Sequence, residues 1–135
     1  MLEVRELFDS MAASMSLSSE DRARGVDALN DCEEAVTACA SAMLTMTDQA
    51  DVQMAVRRDL DCADVVHATR RLLTRGSGPD SSLLGVQLEA CLLACEQSNE
   101  LCAAHASHHE YCRICSEATR RCATVCRDLL NALRS

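Results

Sequence analysis

Ten cysteines occur in 135 residues, and nearly all of them fall at helical spacing. Cys91, Cys95 and Cys102 are four and seven positions apart. Cys112, Cys115, Cys122 and Cys126 follow at intervals of three, seven and four, and Cys32 and Cys39 are seven apart. At about 100° per residue, each set lies within a stripe at most about 80° wide on one helix face. Positions that Leu and Ile would ordinarily fill carry thiols instead. Thiolate is the ligand of soft metals, and an ordinary core does not need so many cysteines.

Other soft or borderline ligands continue these stripes. Met43 and Met46 extend the Cys32–Cys39 stripe. His105 extends the Cys91–Cys95–Cys102 stripe, and His108 and His109 lie just before Cys112. Core packing explains any one of these methionines, and a solvated helix end explains any one histidine. As a group they mark a mouth through which a metal ion passes. His67 projects away from Cys62 and reads as a surface residue, and Met54 sits at the edge of its stripe.

Competing readings of the thiols are weaker. One or two cysteines would pass as small buried hydrophobes, since Cys is among the most buried residue types. Ten in matching stripes do not fit that explanation. Cys112-x-x-Cys115 has the spacing of a redox motif, which needs a strand-to-helix setting that this chain lacks. The same spacing suits zinc, but a zinc site uses four ligands and the chain has ten. No Ser/His/Asp pattern, Gly-rich phosphate loop or H-E-x-x-H motif is present, so an enzyme is not expected.

Composition narrows the class. The net charge is −8, and every one of the 13 basic residues is Arg. Phe8 and Tyr111 are the only Phe, Tyr or Trp residues. A nucleic-acid partner is not expected, because both the phosphate-neutralising excess and the stacking platforms are missing. No stretch approaches the roughly 20 apolar residues of a membrane span, and Met1 to Met15 has no apolar signal-peptide core. The expected compartment is the cytoplasm, where thiols stay reduced and disulfides are rare.

The elements that must position the thiols are all helices. Residues 2–15 read as a short amphipathic helix, and Ser16 to Ser19 interrupts it. Ser18 and Asp21 start a long helix that runs to Met46, broken in pattern only by Gly25. Thr47 and Asp48 look like the cap of the next, which stops at Arg75-Gly76-Ser77-Gly78-Pro79. Asp80 and Ser81 open a third, and the S-x-x-E box of Ser107 and Glu110 opens a fourth. Four helices of about 25 residues with short turns predict an all-α fold, an antiparallel up-down four-helix bundle with an additional short N-terminal helix. The chain is read as one domain, 1–135, with the N-terminal helix and turn at 1–17 and the bundle at 18–135.

On that bundle the thiols fall into levels. Counting down from the turns near Thr47 and Ala106 places Cys39, Cys102, Cys112 and Cys115 near one end. Cys32, Cys62, Cys91 and Cys122 lie deeper, one from each helix, with Cys95 and Cys126 beside them.

The run from Cys91 through Cys95, Cys102, His105, His108, His109, Cys112 and Cys115 to Cys122 and Cys126 resembles the cysteine-rich four-helix-bundle copper storage proteins. So does Asp61-Cys62-Ala63-Asp64. The resemblance covers roughly residues 26–133. It implies a core filled with several Cu(I) ions held by the thiolates of all ten cysteines, a mouth at the Met/His end, and assembly into homo-tetramers. Val36, Val66 and Ser98 stand where the family pattern commonly continues with Cys, which implies a sparser site.

Two other readings remain open at the level of sequence. A layer with one cysteine from each helix, Cys32, Cys62, Cys91 and Cys122, is also a four-thiolate set for a [4Fe-4S] cluster, with an electron-transfer or sensing role. A regulatory bundle that binds one metal as a switch is the other.

Overall fold

A computed structural model describes residues 3–11, 16–46 and 50–135. Five helices follow in chain order: α1 (Val4–Ser10), α2 (Ser19–Met43), α3 (Ala50–Arg75), α4 (Ser82–His105) and α5 (Glu110–Arg134). No strand occurs among the described residues. The four long helices form a ring in which α2 and α4 each pack against both α3 and α5. Short connections between helices of nearly equal length make the neighbours antiparallel.

Local chemistry accounts for the helix ends. Ser18 caps α2 by accepting a hydrogen bond from the Asp21 amide at 3.0 Å. Gly76 and Gly78 both adopt positive φ, so α3 ends where only glycine turns without strain. At α4 the capping acceptor is Asp80, not Ser81: its Oδ1 accepts from the Ser82 amide at 2.9 Å and from the Ser82 hydroxyl at 2.6 Å. The expected Ser107–Glu110 box does not form. α5 starts later than that box requires, with His109 rather than Ser107 at its N-cap and no side-chain cap. The predicted Thr47–Asp48 cap, together with Leu2 and residues 12–15 of the predicted N-terminal helix, lies outside the described residues.

Gly25 is not a defect in α2. A Cβ there would meet Leu73 at 2.6 Å and Leu129 at 2.9 Å, so its absence lets α2 lie close against α3 and α5. The core runs the length of the bundle as Leu, Val, Ala, Met and Cys, with Leu29, Leu73, Leu88 and Leu129 closing the end remote from the upper thiols.

The same end holds a buried Arg. Arg22 is only 1% exposed and donates to the carbonyls of Leu73, at 3.3 and 3.1 Å, and of Thr74 at 2.8 Å. It thereby satisfies C-terminal carbonyls of α3 that have no intrahelical partner. Phe8 of α1 stacks on its guanidinium, 4.0 Å from the ring centroid. The N-terminal helix thus seals a cationic helix cap.

Candidate metal centre

The helical stripes place every thiol in the interior. α2 supplies Cys32 and Cys39, α3 supplies Cys62, α4 supplies Cys91, Cys95 and Cys102, and α5 supplies Cys112, Cys115, Cys122 and Cys126. All ten are free thiols, and none is more than 1% exposed.

They divide into an upper and a deeper group. In the upper group Cys39, Cys102 and Cys115 place their sulfurs, with a carboxylate oxygen of Asp59, within 4.8 Å of one another. The Cys102 and Cys115 sulfurs are 3.0 Å apart. Asp59 Oδ1 accepts from the Ser98 hydroxyl at 2.6 Å and faces Cys102 at 3.5 Å and Cys115 at 3.8 Å. Cys112 interacts with Cys39 at the same level.

In the deeper group Cys32, Cys95 and Cys122 form one cluster, and Cys91, Cys122 and Cys126 form another that shares Cys122. Cys62 joins through contacts of 3.9 Å to Cys32 and 3.9 Å to Cys95. Cys32, Cys62, Cys91 and Cys122 therefore do not make one four-thiolate layer of their own. Cys91 sides with Cys126, and Cys95 takes its place beside Cys32 and Cys62. The reason is the helix rotation: Cys95, one turn on from Cys91, points at α3. Sulfurs 3.9 Å apart match the edge of a single-ion site, about 3.8 Å for 2.3 Å metal–sulfur bonds, rather than the wider setting of an iron–sulfur cube.

Burial raises a thiol's pKa by disfavouring thiolate, and neighbouring S–H donors oppose this at selected sulfurs. Cys102 is held down to about 3, first by its hydrogen bond with Cys115 and next by Cys39. Cys115 and Cys39 are pushed up, each first by its hydrogen bond with Cys102. Deeper in the core, Cys32 and Cys91 are pulled down, each chiefly by Cys122, whose own thiol is pushed up. Each group thus sets burial, which disfavours thiolate, against sulfur–sulfur contacts that favour it at one or two positions.

Asp59 is the residue that the sequence reading missed. It is fully buried, its Oδ2 has no hydrogen-bond partner, and its carboxyl is pushed up to about 7, first by burial and then by the nearby Cys102 charge. The signal was present: Asp59, Cys62, Val66, Thr69 and Leu73 form the buried stripe of α3, and a carboxylate on such a stripe is a charge in the core. Of the three thiol gaps, Val36 and Val66 are buried packing residues, whereas Ser98 is the donor to Asp59.

The Met and His residues expected to line a mouth lie at the same end of the bundle as the upper group. Met43 is buried and Met46 is partly so. The Tyr111 hydroxyl donates to Met46 Sδ at 3.0 Å, and the His109 ring stacks on Tyr111 with centroids 5.1 Å apart. His105 and His109 are half-buried and His108 is exposed. Met54 is 51% exposed and belongs to no ligand group. His67 is on the surface, 3.1 Å from Glu33.

A profile of the copper storage proteins matches residues 18–131, which is all of the four-helix ring except the last turn of α5. No curated protein sequence matches. Among solved structures, the copper storage protein of Streptomyces lividans loaded with 10 copper equivalents is 38% identical, with a TM-score of 0.89 over 96% of this chain and 98% of that one. A form of the cytosolic copper storage protein from the same organism carrying five coppers is 41% identical, with a TM-score of 0.79 over 83% of this chain and 93% of that one. A histidine-to-alanine variant of the Streptomyces protein is 39% identical, with a TM-score of 0.82 over 87% of this chain and 98% of that one. With a family profile spanning the bundle and 38% identity sustained over nearly the full length, this chain belongs to the copper storage protein family.

Proposed function

We propose that the chain stores Cu(I) as thiolate-bridged ions inside the bundle, with all ten cysteines as ligands and no catalytic step. The observation that carries this reading is a core of ten buried free thiols whose sulfurs approach to 3.0–3.9 Å. Cu(I) favours two or three thiolates, and sulfurs shared between ions, as Cys122 is placed to be, build clusters. The copper loading of the Streptomyces relative supports the same role here.

Ions reach the core at the Met/His end. Met46, His105, His108 and His109 offer exchangeable ligands near the surface, and Met43 leads inward to Cys39. The described helices include none long and apolar enough to cross a membrane. We place the protein in the cytoplasm, like its cytosolic relative, because this thiol chemistry needs a reducing compartment. We also propose a homo-tetramer. The outward face of α4 carries exposed Leu83, Val86 and Leu93, so this helix is apolar on both sides, as helices buried by a partner are.

Anaerobic Cu(I) titration against a competing chelator, with elemental analysis, tests storage. Several Cu(I) per chain are expected, with affinity falling as pH drops because binding displaces thiol protons. Iron with labile sulfide, a single metal per chain, or an affinity independent of pH between about 5.5 and 8 would overturn it. Sedimentation equilibrium tests assembly: a monomer at all concentrations rules out the tetramer.

A further inference from the structure

The upper group differs in kind from the deeper one. Cys32, Cys62, Cys91, Cys95, Cys122 and Cys126 offer sulfur alone. Cys39, Cys102 and Cys115 share their site with the carboxylate of Asp59. A carboxylate is a hard donor that adds little to a Cu(I) site, whereas zinc is a borderline ion bound by Cys sulfur and Asp oxygen alike. The geometry points to a four-ligand site, made by Cys39, Asp59, Cys102 and Cys115, for a divalent tetrahedral cation of the zinc class. The copper-free chain offers this site in addition to the sulfur-only sites below it.

The ligand atoms already lie within 4.8 Å of one another, one from each of the four long helices. A tetrahedral zinc site has ligand–ligand edges of about 3.5–3.8 Å, and Asp59 Oδ1 lies 3.5 Å from Cys102 and 3.8 Å from Cys115. The Cys102–Cys115 pair, at 3.0 Å, must open by less than about 1 Å. Asp59 is also fully buried, and its Oδ2 has no hydrogen-bond partner. A buried carboxylate is retained at large cost unless a cation joins it, and among the described residues no Arg or His side chain hydrogen-bonds to this one. Finally, Ser98 donates to Oδ1 at 2.6 Å, the kind of outer contact that fixes a ligating carboxylate. These four side chains and their orienting serine would bind a divalent ion whether or not the deeper sulfurs store copper.

Co(II) is the probe, because its spectrum reports both geometry and sulfur ligation. The reduced, copper-free full-length chain is titrated anaerobically with Co(II), then with Zn(II). One Co(II) per chain with intense tetrahedral ligand-field bands and thiolate charge-transfer absorption is expected, and Zn(II) should displace it. Asp59→Asn should weaken Co(II) binding at least about 100-fold, and Ser98→Ala about tenfold through loss of orientation. No tetrahedral Co(II) spectrum in the wild-type chain, or binding unchanged in both variants, overturns the site. Cu(I) titration of the wild-type chain alone tests the storage reading, so the two failures are distinguishable.

Discussion

Asp59 on α3 accepts a 2.6 Å hydrogen bond from Ser98 on α4, and both residues are completely buried. Ser98 occupies the thiol stripe of α4 between Cys95 and Cys102, so a hydroxyl replaces sulfur where a carboxylate needs a donor. The serine gap and the buried acid are one feature. It separates the upper thiols from the deeper ones chemically as well as by depth.

Asp59 makes the stability of the copper-free protein depend on pH. Its carboxyl rises from 3.8 to about 7 on folding, so the folded chain holds a proton that the unfolded chain has released. The contribution of Asp59 to stability is greatest below the unfolded value and is lost as pH rises towards about 7. That loss is on the order of 4 kcal/mol by the linkage relation. Asp59→Asn, which cannot ionise, should flatten this dependence and make the copper-free protein more stable at pH near neutrality. Urea unfolding at a series of pH values measures it, and an unchanged slope in the variant would contradict the assignment to Asp59.

Cys122 belongs to both deeper clusters, whereas Cys112 belongs to no three-ligand group among the described residues. Cys122→Ala should therefore lower the copper content of the loaded protein by more than Cys112→Ala does. Each substitution removes one sulfur, and the packing loss is small, of order 1 kcal/mol. Metal and protein analysis after desalting gives the comparison. Equal losses would mean that sulfur sharing at Cys122 is absent.

Much of this was legible in the sequence because periodicity and capping are local. Four long helices and nine of the ten inward thiols follow from spacing alone, and Ser18 caps α2 as expected. What was not legible depends on the rotation of one helix against another. Whether Cys91 or Cys95 faces Cys62 is a difference of about 40° on α4. Arg22 was equally hidden. A basic residue in a charged first turn reads as solvated, and only the meeting of α2 with the end of α3 supplies its carbonyl partners.

Arg22 tests the scaffold independently of the thiols. Arg22→Met keeps the aliphatic volume but removes the hydrogen bonds to Leu73 and Thr74 and the cation over Phe8. Hydrogen bonds from a charged donor contribute about 1.5–3 kcal/mol, and the buried guanidinium costs part of that back through desolvation. A net loss of about 2 kcal/mol is expected in chemical unfolding. Copper content should stay at the wild-type level, since Arg22 lies at the end of the bundle remote from the upper thiols. A matching loss of copper would show that α1 and the thiol core are coupled.

The mouth should govern rate. Tyr111 holds Met46 through its hydroxyl and is stacked on by His109, and all three lie at the bundle end nearest Cys39 and Cys112. An ion passing inward needs exchangeable soft ligands there, because bare Cu(I) does not cross a dry apolar layer. His109→Ala and Met46→Leu should each slow the uptake of Cu(I) from a competing chelator, and the double variant should be slower than either. Tyr111→Phe frees Met46 without removing a ligand, and should change the rate less. Stopped-flow absorbance in the thiolate-to-copper charge-transfer band follows loading directly. The end point should remain near the wild-type value, because the deeper sulfurs are untouched. Uptake at the wild-type rate in the double variant would place the path elsewhere, through the opposite end beside Arg22 and Phe8.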